Sequence, residues 1–132
     1  MKKPTQLAPA LALAQLLREH PELPVAGWRV CAMAPALLGD VQNGASTLDD
    51  LHRFQQVLGG EVTARQSFTS GGQDLRSYGL VVCWRDVDVE LVGIMPSSLA
   101  DLAEGRLAEQ RHMLLDLDVD SQFGTAGLGV AA

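Results

Sequence analysis

The chain has 132 residues, 47% of them apolar and 20% charged, the make-up of one globular domain large enough to bury a core. Its 16 acidic and 10 basic residues give a net charge of −6, the wrong sign for a surface that holds nucleic acid or an anionic membrane through Lys and Arg. Aromatics are only 5%, so the core is built from Leu, Val and Ala, and no apolar stretch approaches the ~20 residues that cross a bilayer.

Lys2-Lys3 followed by Leu7–Ala14 has the outline of a signal peptide with an Ala-x-Ala site. Pro9 interrupts that run, however, and Gln6 and Gln15 frame it. Leu13, Leu16 and Leu17, with Ala10 and Ala14, form a helical stripe over Leu7 to His20. A helix and a cytoplasmic location are therefore expected. Pro21 and Pro24 end the helix. Val25 to Met33 reads as a strand with Trp28 and Val30 on one face, and Leu37 to Gln42 as a short second arm. Pro35 between them argues for an edge or a bend.

Thr47-Leu-Asp-Asp50 begins a second helix, with Thr47 as cap and Asp50 reaching back, and Asp49 and Asp50 suit the positive end of its dipole. Leu48, Leu51, Phe54, Val57 and Leu58 form its buried stripe, and Gly59-Gly60 closes it. Glu61 to Phe68 is a strand and Ser70-Gly71-Gly72 a loop. Tyr78 to Pro96 then folds back on itself as a hairpin. In its second arm Val87, Val89 and Leu91 alternate with Asp88 and Glu90, which places one set in a core and the other in water. Arg85-Asp86 supplies the break without the usual Asn-Gly or Asp-Gly pair. Ser97 or Ser98 caps a last helix, with Asp101 completing a capping box, and Leu99, Leu102, Leu107, Met113 and Leu114 supply its stripe. Residues 121–132 are expected to be a flexible tail. The expected fold is α+β: a small antiparallel sheet with helices on one face, in one domain over residues 1–120.

Few side chains carry chemistry. Asp116, Asp118 and Asp120 sit at calcium-loop positions, but Ser121 and Gly127 stand where Gly and Glu are required. Gly124 to Gly129 follows no strand and has no Lys for phosphate. His20, His52 and His112 lie on three separate helices with no His-x-x-x-His pair. Cys31 and Cys83 read as small buried hydrophobes, with a disulfide open only if their strands are adjacent. No catalytic residue, metal or cofactor is expected.

The features that stand out are Trp84 and Arg85, an aromatic–cation pair of the kind enriched at binding hot spots, and Asp86, Asp88 and Glu90, which at i, i+2 and i+4 of a strand share a face. Such a strip either guards the sheet against aggregation or steers a basic partner. The expected function is a non-enzymatic protein-interaction or regulatory module using these five residues. The alternatives are a small-molecule binder or enzyme with a pocket between sheet and helices near Cys83 or His52, and a self-assembling protomer. His20-Pro21-Glu22-Leu23-Pro24, Leu58-Gly-Gly-Glu-Val62 and Val87-Asp-Val-Glu-Leu-Val-Gly93 together resemble a group of small α+β proteins of actinobacteria and their phages. The resemblance implies no activity and suggests an accessory factor of a phage or mobile element.

Overall fold

In the computed structural model the described residues are 6–31 and 34–131, with side chains described to residue 114. Their elements are α1 (Leu7–Glu19), β1 (Gly27–Val30), β2 (Ala36–Val41), α2 (Thr47–Leu58), β3 (Val62–Ser70), β4 (Gln73–Trp84), β5 (Val87–Pro96) and α3 (Ser97–Ala131). The five strands form one sheet in the order β1-β2-β5-β4-β3. The α+β class and the helices on one face agree with the sequence reading. The sheet is mixed rather than wholly antiparallel, because β2 runs parallel to β5, from Ala36 opposite Asp88 to Val41 opposite Gly93. The excursion through α2 makes this possible, since a parallel neighbour cannot be reached by a tight turn. It also moves β2 inside the sheet and leaves β1 and β3 as the edges, so Pro35 marks the entry to an interior strand.

The clean alternation of β5 is the frame of the core. Val87, Val89, Leu91, Gly93 and Met95 are buried in one row. Leu37 and Val41 of β2 and Tyr78 and Leu80 of β4 extend that row sideways, and Leu16, Leu51, Phe54, Ala100 and Ala103 close it from the helices. Trp28 meets Phe54 edge-on at a centroid distance of 5.9 Å, an arrangement favoured by the ring quadrupoles. On α3 the small residues Ala100 and Ala103 are the fully buried ones, while Leu102, Met113 and Leu114 are exposed. The stripe expected at Leu102 is thus rotated, because α3 lies close enough to the sheet for only a methyl to fit. Leu99 and Leu107 flank it, half-buried.

The two hairpins β3–β4 and β4–β5 each turn in two residues with positive φ: Gly71 (58°) with Gly72 (78°), and Arg85 (52°) with Asp86 (63°). This is the pairing whose twist matches antiparallel strands. Gly71-Gly72 is therefore a tight turn rather than a longer loop, and Gln73 and Asp74 already belong to β4. At the start of α2 the expected Thr47 cap is replaced by a different network. Thr47 Oγ1 accepts from the Asn43 amide and donates to the Gly44 carbonyl, both at 2.9 Å. The buried Asp50 carboxylate accepts from Asn43 Nδ2 (2.7 Å) and Ser46 Oγ (3.1 Å), which satisfies its charge. The backbone of α3 is helical on through residue 131, over the stretch read from sequence as a tail. The aspartates at 116, 118 and 120 fall outside the described side chains.

Gly93 shows how closely α2 is seated: a Cβ there would lie 2.7 Å from Thr47 Cγ2 and 2.8 Å from Leu51 Cδ1. Gly105, on the outer side of α3, has nothing within 4 Å. Gly93→Ala is expected to destabilise the fold by about 1–3 kcal/mol through overpacking, whereas Gly105→Ala should stabilise it by up to ~1 kcal/mol through helix propensity. Urea midpoints of the two variants, moving in opposite directions, check this.

Candidate functional site: the uncovered sheet face

Side chains alternate along each strand, so a sheet covered by helices on one face presents a second set on the other. That face is bare among the described residues. Its rows follow from the register: Leu38 lies opposite Glu90 and Glu90 opposite Val81, and Val92 lies opposite both Asp40 and Gly79. Ile94 lies opposite Ser77, and Asp88 opposite Ala36 and Cys83. Leu38, Val92 and Ile94 are half-buried by their neighbours alone, and Val81 is 59% exposed. Apolar and acidic side chains are thus interleaved, Glu90 standing between Leu38 and Val81 and Asp40 beside Val92, with Arg29 at the β1 edge.

A bulge in β3 adds one cation. The register slips between Ala64 and Gln66, so Arg65 is the extra residue, and bulges of this kind re-aim a side chain. Arg65 lies flat over Gly79, which has no side chain to obstruct it, and reaches past β4 to Glu90 at 3.2 Å. Among the described residues Asp40, Asp88 and Arg29 have no ion-pair partner.

The five residues singled out in the sequence are divided by the structure. Asp88 and Glu90 lie on the uncovered face. Asp86 sits in the turn, outside β5, so the expected row of three carboxylates is a row of two. Trp84 lies opposite Val87, on the helix side, half-buried against the core. Arg85 is committed within the chain. Its guanidinium stacks 4.3 Å from the Trp84 ring and forks onto Glu19 of α1, Nη1 to Oε2 at 2.5 Å and Nη2 to Oε1 at 2.7 Å, with Gln15 Oε1 at 2.9 Å. The bidentate hydrogen bonds hold the Glu19 carboxyl below its ordinary range. Arg85 thus fastens a strained turn to α1.

Cys83 is exposed on the bare face and Cys31 is half-buried; both are free thiols. The reading of both as buried is overturned for Cys83 because its position in β4 alternates with the core residues Val82 and Trp84. What sequence reasoning missed is the apolar share of this face. A signal for it was present: after Leu91 the alternation of β5 fails, and Val92 and Ile94 make both faces apolar.

On the helix side, a polar cluster marks the edge of the sheet under α3. Tyr78 donates its hydroxyl to Glu104 Oε1 at 2.5 Å, and Arg76 pairs with Glu104 Oε2 at 3.1 Å and Asp101 at 2.8 Å. Tyr78 and Glu104 also line a cleft of about 220 Å³ between α2 and α3. Asp101 is thereby engaged with β4 across the helix–sheet boundary.

No protein-family model, curated protein or solved structure matches this chain.

Burial and the acceptor Glu104 push the Tyr78 phenol up to about 12 from its ordinary value of 10. The folded state therefore holds a proton that the unfolded chain releases. The associated stability is complete below pH 10 and lost as pH rises through 12. Tyr78 is the only tyrosine, so tyrosinate absorbance reports it alone. Its midpoint is expected near 12 in the native protein and lower in Glu104→Gln. A native midpoint near 10 would rule out the buried Tyr78–Glu104 pair.

Proposed function

We propose that this chain is a non-enzymatic protein-interaction module and that its working surface is the uncovered face of the sheet. The observation that carries the reading is the uncovered face itself, on which the exposed Val81 and the half-buried Leu38, Val92 and Ile94 stand among Asp40, Asp88, Glu90 and Arg65. A sheet face left uncovered, with apolar and charged side chains interleaved, suits a partner that covers it, since interfaces combine apolar contact with complementary charge. The free carboxylates Asp40 and Asp88, with Glu90 beside them and a net charge of −6, favour a partner with basic residues around an apolar contact. Trp84 and Arg85 support the surface from behind, by holding the β4–β5 turn to α1. Two free thiols, one exposed, fit a reducing compartment such as the cytoplasm.

The test is affinity capture from lysate of the native source with three versions of the chain. The native protein is expected to retain a stoichiometric partner, and the double reversal Asp88→Lys/Glu90→Lys to lose it at least tenfold. Leu102→Asp, on the opposite side of the molecule, should retain it. All three should melt alike, because surface changes away from the core shift stability by only about 0.5 kcal/mol. The Cys83 thiol, on the same face, should be shielded from maleimide in the complex. A partner held equally by the reversed variant, or no partner at all, refutes the assignment.

A further inference from the structure

We propose that the cleft between α2 and α3 binds a small amphipathic monocarboxylate, its carboxylate on Arg111 and its apolar body against Leu48, Val62 and Leu107. This site is separate from the bare sheet face and does not depend on the role given to it.

The cleft exists because the helix layer ends before the sheet does. Leu48 and His52 stand one turn apart on α2, and Glu104, Leu107 and Arg111 follow one face of α3, so the two helices form walls over the edge strand β3. The volume, about 220 Å³, is below the range of pockets for drug-sized ligands. It suits a short aliphatic or single-ring acid.

The commitments of the polar groups select the ligand's charge. Glu104 has one oxygen on the Tyr78 hydroxyl and the other on Arg76, so its charge is offset locally. Gln55 donates through Nε2 to the Gly60 carbonyl, which leaves its Oε1 to accept; His52 Nδ1, 3.0 Å away, must therefore carry a proton. That turns His52 into a fixed wall with only Nε2 uncommitted. Arg111 is the cationic lining residue, and among the described residues no carboxylate lies within ion-pairing distance of it. A planar guanidinium with no ion-pair partner among the described residues, beside an apolar floor, matches a carboxylate, which can accept two parallel hydrogen bonds.

The probe is hexanoate, compared with hexan-1-ol and hexylammonium and followed by methyl NMR shifts of Leu48, Val62 and Leu107 in the full chain. Hexanoate is expected to shift these methyls saturably and to bind at least tenfold tighter than the alcohol, with the amine weaker still. Arg111→Gln, an exposed substitution, should erase the advantage of the acid over the alcohol. Ala108→Leu, which narrows the cleft from the α3 wall, should weaken both. Asp88→Lys/Glu90→Lys should bind hexanoate as the native chain does, which separates this site from the sheet face. The proposal is overturned if acid and alcohol bind equally, if Arg111→Gln keeps the preference, or if the shifts map elsewhere.

Discussion

Everything in this fold hangs on the buried row of β5. Val87, Val89, Leu91, Gly93 and Met95 form the centre line against which β2 pairs on one side and β4 on the other, and over which all three helices are laid. The row works because it is uneven. Three branched aliphatic side chains supply the apolar contact. The glycine then removes a side chain where Thr47 and Leu51 press in, so α2 can cross at close range while its own N-terminus is held by the Asp50 network.

The same alternation that packs one face generates the other. Strict period-2 patterning means that each residue committed to the helices sends its neighbour to the bare side, and the chemistry of that side is then free to vary. Over the first half of β5 it is acidic; over the second half it is apolar. Arg65 links the two characters by lying across Gly79 to Glu90, which the bulge in β3 and the missing side chain in β4 jointly allow. A functional surface of this kind is inexpensive to build, because altering it leaves the core row untouched.

Much of the architecture could be read from the sequence, for identifiable reasons. The stripe Leu48, Leu51, Phe54 and Leu58 and the alternation from Val87 to Leu91 are strong local periodicities, and local periodicity survives folding. The parallel pairing of β2 with β5 was hidden because it depends on which edge α2 returns to, a tertiary fact with no local residue signal. The rotation of α3 onto Ala100 and Ala103 was hidden for a related reason: Leu is the better core residue, but close approach to the sheet selects small ones. At the candidate surface Asp88 and Glu90 were legible as carboxylates out of phase with the core. Val81, whose neighbours Leu80 and Val82 mask its phase, was not. Arg85 looked like a contact residue because Arg beside Trp is common at interfaces; here the same chemistry is turned inward, onto Glu19.

The mixed sheet also orders events in time. The strands β3, β4 and β5 are joined by two-residue turns, so each can pair with its neighbour as soon as the chain doubles back. The β2–β5 pair must wait, because Ala36 meets Asp88 only after α2, β3 and β4 have been gathered between them. Pairings that close long loops are the slow ones. The meander is thus the part that can pair first, and until β2 arrives β5 stands as its open edge, with the buried row on one face. In that interval the carboxylates of Asp88 and Glu90, projecting from this edge strand, oppose the annealing of one nascent chain to the next.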